Sequence, residues 1–97
     1  MAVELSKNEY LMFRGKPLVR EDDTICYGDL QNDKYVLILE IFGYKEDGKG
    51  HEVPNRILVQ IVESANQNNI IKQGNKDNLY DAFLLGVTWL TVELQQS

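Results

Sequence analysis

The chain has 97 residues, 15 of them acidic and 10 basic, for a formal net charge of −5; 43% are apolar and 26% charged. That composition is globular, short enough for a single domain over residues 1–97 and long enough to bury a modest core. It excludes a collagen, a disulfide scaffold, a zinc finger and a multidomain enzyme, and the lone Cys26 fits a reducing cytoplasm.

The opening segment is open to two readings. Ser6-Lys7-Asn8-Glu9 matches a capping box, which would start a short helix over Glu9 to Phe13. A strand over Tyr10 to Arg14 is equally compatible, because the segment is too short for periodicity to arbitrate. Pro17 to Arg20 reads as a short strand, Glu21-Asp22-Asp23 as a turn, and Thr24 to Tyr27 as the returning strand. Gly28 to Asp33 is a loop. The strongest strand signal is Tyr35 to Tyr44. Tyr35, Leu37, Leu39 and Ile41 share one face, and Val36, Ile38, Glu40, Phe42 and Tyr44 the other. Two largely apolar faces indicate a central strand.

Glu46 to Gly50 is a turn centred on Asp-Gly. Arg56 to Glu63 is the partner strand, with Ile57, Val59 and Ile61 on a clean apolar face. Ser64 to Asn69 is a loop, Ile70 to Lys72 a further short strand, and Gln73 to Asp77 a second polar loop. The one long helix runs from Leu79 to about Gln95, with Asn78 as its N-cap and Asp77 and Asp81 at the positive end of its dipole. At about 100° per residue its apolar arc holds Leu79, Tyr80, Ala82, Phe83, Gly86, Val87, Trp89, Leu90 and Leu94, interrupted by Glu93, while Leu84, Leu85 and Val92 lie outside it. Gly86 inside that arc predicts a close approach to a strand or a second helix.

Chemistry-bearing residues are sparse. His51, the only histidine, falls in a predicted turn. One histidine with one cysteine makes a poor metal site. Cys26 lies mid-strand, with nothing near it in sequence to lower its pKa. The turn carboxylates Glu21, Asp22, Asp23, Asp29 and Asp33 lack the spacing of a calcium loop. Glu40 sits among apolar neighbours and calls for a partner, with Arg56 or Gln60 as candidates. No phosphate-binding glycine motif occurs. Lys72, Gly74 and Lys76 precede the helix and are the candidate anion site. Arg14, Lys16 and Arg20, with Tyr10 and Phe13 close by, are the only local basic cluster, and the net charge opposes nucleic-acid binding there. No cofactor or metal is implied. No apolar run approaches the roughly 18 residues of a membrane span, and no charged-then-apolar leader opens the chain.

Two stretches carry a resemblance. Asn8-Glu9-Tyr10-Leu11-Met12-Phe13-Arg14-Gly15-Lys16-Pro17-Leu18-Val19-Arg20 with Ile25-Cys26-Tyr27-Gly28-Asp29 is one. Leu79-Tyr80-Asp81-Ala82-Phe83 with Gly86 and Trp89-Leu90 is the other. With these the chain resembles a family of short uncharacterised bacterial proteins, which implies a free-standing bacterial cytoplasmic protein and no particular activity.

The expected fold is α+β: an antiparallel sheet of four to six strands with the C-terminal helix packed across it, or alternatively a small, partly closed barrel plus helix. One helix about 10 Å wide covers only two or three strands about 4.8 Å apart. Apolar residues on the second sheet face and outside the helix arc are therefore left over. Ile38, Phe42, Leu58, Leu84, Leu85 and Val92 are the candidate interface, and a homodimer, or a complex with another protein, is the expected way to bury them. The functional expectation is a small non-enzymatic interaction module. The alternative is a module binding a small anion or nucleotide at Lys72, Gly74 and Lys76.

Overall fold

The computed structural model describes residues 8–96, with side chains from Tyr10 onward. Six strands follow one another and pair in sequence order, each antiparallel to the next. They are β1 (Asn8–Phe13), β2 (Lys16–Glu21), β3 (Thr24–Tyr27), β4 (Tyr35–Glu46), β5 (Glu52–Glu63) and β6 (Ile70–Lys76). The helix α1 (Leu79–Gln96) returns across the sheet. The fold is thus α+β with an open sheet, and β1 and β6 are its edges among the described residues. Of the two opening alternatives, residues 8–13 adopt the strand. Ser6 of the capping-box reading lies outside the described residues.

Short turns set this topology. Between β1 and β2, Arg14 and Gly15 both take positive φ, 51° and 79°. That is the two-residue turn whose twist matches the flanking strands, and glycine adopts it without strain. Between β2 and β3, Asp22 has φ of 51°, a conformation aspartate tolerates better than most residues. Arg20 Nε donates to the Asp22 carbonyl at 2.9 Å and clamps that turn. The β4–β5 turn is closed by Asp47 Oδ1, which accepts from the Lys49 and His51 amides at 2.7 and 3.3 Å.

The core lies between the sheet and α1. Leu18, Ile25, Tyr27, Leu37, Leu39, Ile41, Ile57, Val59 and Ile61 meet Ala82 and Leu90 of the helix. The helix packs against β4, β5 and β6, three strands, as its width dictates. It comes close at two glycines. A Cβ on Gly86 would meet Leu37 Cδ2 at 2.6 Å, and one on Gly74 would meet Trp89 Cη2 at 2.9 Å. The close approach expected at Gly86 is therefore to β4. Toward β1, Phe83 of the helix forms an edge-to-face trio with Phe13 and Tyr27, with centroids 5.3–5.8 Å apart. Tyr27 also donates its hydroxyl to the Phe13 carbonyl at 2.8 Å. The trio binds the β1–β2 hairpin to the start of α1.

Three expectations are corrected. Gln73–Lys76 is strand, not loop: β5 offers a ladder from Ile57 to Val62, and polar side chains are at home on an edge strand. Tyr44 does not share the face of Ile38. Irregularities on either side of Gly43 break the alternation of β4, so Tyr44 packs against the helix-side core and donates its hydroxyl to Asp23. The same irregularity accommodates Pro54, opposite Tyr44, inside β5. Finally, Val36 and Val62 on the second face are fully buried. They pair with each other, and the chain at Gly28 lies directly on Val36.

Gly86→Ala is expected to lower stability by about 1–3 kcal/mol through overpacking against buried Leu37, although alanine gains about 1 kcal/mol in helix propensity. Denaturant unfolding of both chains measures it. A stabilised Gly86→Ala variant would mean that the helix is not seated on β4.

Candidate interaction surface

The strand register aligns one residue from each strand into a row across the face opposite α1. Tyr10 lies beside Val19, Val19 beside Cys26, Cys26 beside Ile38, Ile38 beside Gln60 and Gln60 beside Gln73. The row is apolar over β1 to β4 and polar over β5 and β6, where Gln60 Nε2 donates to Gln73 Oε1 at 3.4 Å. A neighbouring row runs Thr24, Glu40, Leu58 and Asn75. Thr24 Oγ1 lies 3.1 Å from both carboxylate oxygens of Glu40. The partner of Glu40 is thus Thr24 and not Arg56 or Gln60.

The apolar half of this face is the bed of a trough of about 800 Å³. Pro17, Val19, Cys26 and Ile38 line it, with Tyr10 and Leu30 at its margins. The β2–β3 turn brings Glu21, Asp22 and Asp23 to it, and the β5–β6 loop brings Gln67. Its size falls within the usual range of ligand and anchor pockets. Burial pushes the Cys26 thiol above its ordinary value, which disfavours the thiolate that a nucleophile or metal ligand requires.

The six candidate interface residues separate into two groups. Ile38, Phe42 and Leu58 belong to the open sheet face, Ile38 and Leu58 half-buried and Phe42 exposed. Leu84, Leu85 and Val92 are on the helix, which packs on the other face; Leu84 and Val92 are exposed and Leu85 half-buried. One two-fold contact does not use both groups, because an isologous interface is a single patch on each copy.

The candidate anion residues are three alternate positions of β6. Lys72 Nζ stands 5.2 Å from the centroid of the Trp89 ring, and Gly74 lies under the same ring. The first turn of α1 is capped from within: Asn78 Oδ1 accepts from the Asp81 amide at 2.8 Å, and Asn78 Nδ2 donates to Asp81 Oδ2 at 2.9 Å. Lys76 lines a polar hollow of about 680 Å³ with Phe42, Asn55, Arg56, Asn75 and Asp77.

The basic cluster is dispersed among structural duties. Lys16 pairs with Asp33, Arg20 is buried with its guanidinium on the β2–β3 turn, and Arg14 stacks 5.3 Å from the Phe13 centroid. His51 is exposed beside Asp47 at 3.4 Å. Asp29 folds back on its own loop: the Asn32 side chain and the Gln31 and Asn32 amides donate to it and hold its carboxyl below the usual range. No group of three metal-ligating side chains occurs among the described residues.

Tyr10, Val19 and Cys26 were not legible as one surface, because only register aligns residues of successive strands. The signal that existed was the Arg14-Gly15 turn, which by itself sets β1 against β2. No family model, curated protein or solved structure matches the chain.

The Cys26 thiol is expected to react with iodoacetamide more slowly than a free cysteine, with its rate midpoint displaced to higher pH. Because the folded thiol titrates above the unfolded one, its contribution to stability is intact below the unfolded value and lost as pH rises through the folded value. Alkylation rates between pH 6 and 10 check this, and rapid labelling at pH 6 would return Cys26 to the list of nucleophiles.

Proposed function

We propose that the chain is a non-enzymatic protein-interaction module that works as a homodimer, with the apolar half of the open sheet face as its working surface. The observation that carries this reading is the row Tyr10–Val19–Cys26–Ile38, an uncharged strip over the four strands β1 to β4. Apolar surface of this kind marks association sites in water-exposed chains, and a two-fold dimer is the commonest closed arrangement. The non-enzymatic part is supported by the lone cysteine and the lone histidine sitting on separate elements, Cys26 within β3 and exposed His51 in the β4–β5 turn. A bacterial cytoplasmic setting is part of this proposal, supported by the lone cysteine and by the sequence resemblance. No helix is long and apolar enough to cross a membrane among the described residues.

Anion binding is the second reading, with the polar hollow lined by Arg56, Lys76 and exposed Phe42 as its site. Two cations with an aromatic face suit a nucleotide, and Asp77 in the same hollow opposes it.

Light scattering on a size-exclusion column at high micromolar concentration is expected to give twice the mass of the chain. A contact made by the open face itself would be broken by Ile38→Asp, with the mass halved and the far-ultraviolet circular dichroism retained. A wild-type mass of one chain would end the homodimer reading. In a thermal-shift series with phosphate and nucleotides, the second reading requires stabilisation of about 2.7 kcal/mol at a hundredfold excess over Kd, abolished by Arg56→Gln.

A further inference from the structure

The two edges of the sheet are built differently. At β6, Ile70 and Ile71 are 43% and 40% exposed, but the pairing with β5 is irregular beside them at Ile61–Val62, Lys72 and Lys76 flank Gly74, and Trp89 of α1 lies over that glycine. Charge, coverage and a bulge are the usual devices that stop a sheet edge from recruiting another strand. At β1 those devices are missing from the described residues after Glu9. Tyr10, Leu11 and Met12 are 62%, 37% and 59% exposed, three consecutive large apolar side chains on an edge strand with no lysine, proline or bulge among them. Such a run is a template for another strand.

The turn at Arg14-Gly15 also dictates what β1 offers. In a two-residue hairpin the closing pair, here Phe13 and Lys16, exchanges both hydrogen bonds, and bonded and non-bonded pairs then alternate. Leu11 is therefore bonded to Leu18, while the backbone amides and carbonyls of Asn8, Tyr10 and Met12 point outward from the sheet.

We propose that two copies of the chain join edge to edge, β1 beside β1 in antiparallel order, so that two six-stranded sheets become one. This rests on the homodimer reading and moves its contact from the open face to the β1 edge, where Ile38→Asp on β4 leaves the dimer intact. Only even-numbered residues of the strand present outward groups, so a two-fold axis is restricted to a few registers. Tyr10 opposite Tyr10, with Asn8 opposite Met12 on both sides, uses all three outward-facing residues of each copy. In that register the row Tyr10–Val19–Cys26–Ile38 runs on into its counterpart as one apolar strip crossing both sheets. The two tyrosines lie side by side on the open face, and the acidic β2–β3 turns stand one strand back from the seam, so the net charge of −5 on each copy makes the association tighter at higher salt.

Three variants test this beside the wild type, each checked by circular dichroism and melting temperature. Met12→Pro removes one outward amide, which an edge strand tolerates in the single copy and a second strand does not. Tyr10→Lys places a charge at the axis. Both are expected to reduce the solution mass from two chains to one. Tyr10→Cys in a Cys26→Ser background is expected to form a reducible cross-linked dimer on mild oxidation, since a bonded antiparallel pair sets the Cα atoms about 5.5 Å apart, within disulfide reach. Should Met12→Pro unfold, Tyr10→Lys and the cross-link still decide. A persistent dimer mass in folded Tyr10→Lys, or no cross-link at Tyr10→Cys, overturns the edge pairing and leaves the dimer reading to Ile38→Asp. A single-chain mass for the wild type overturns both.

Discussion

The seat of α1 over β4 is the constraint from which the rest of the architecture follows. Gly86 allows the helix backbone to rest directly on Leu37, and Gly74 gives Trp89 the same freedom over β6. Two bare positions hold the helix axis close to the sheet. A helix so placed spans three strands and no more, so β1 to β3 need a different closure. The Phe13–Tyr27–Phe83 trio provides it, joining the first hairpin to the first turns of the helix through ring edges and the Tyr27–Phe13 hydrogen bond.

With the helix committed to one face, the opposite face is left to the loops. The chain at Gly28 covers Val36, and Val62 pairs beside it. Toward β1 that cover gives out, and the surface becomes an apolar trough bounded by carboxylates. The polar residues that might have neutralised it are used locally: Thr24 with Glu40, Lys16 with Asp33, Arg20 with the β2–β3 turn. The result is a molecule with an apolar trough on one half of one face beside an apolar edge strand, and with Tyr80, Leu84 and Val92 exposed separately on the helix. That asymmetry is the physical basis for reading it as a module that associates.

Much of the fold was legible because its signals are local. The alternation Leu37-Leu39-Ile41 against Ile57-Val59-Ile61 predicts two paired strands with a common dry face, and the structure pairs them in that register. Asn78 as N-cap and the arc through Ala82, Gly86 and Leu90 predict both the start of α1 and the side it buries. Where expectation failed, a tertiary partner overrode local preference. Gln73–Lys76 has the composition of a loop, yet β5 supplies a ladder for it. Tyr44 follows the alternation of Ile38 until the irregularity at Gly43 turns it to the core.

The site was less legible than the fold. Ile38, Phe42 and Leu58 were recognisable as surplus apolar residues, but so were Leu84, Leu85 and Val92, and only the packed helix assigns the two groups to different surfaces. The sequence by itself determined the central strands, the turns between them, the helix and which faces are dry, because periodicity and turn chemistry act over a few residues. The tertiary structure alone decided which side chains stand beside one another, which edge of the sheet is guarded and which is bare. Those properties depend on register and on where a helix from the far end of the chain comes to rest, and no local interaction encodes either.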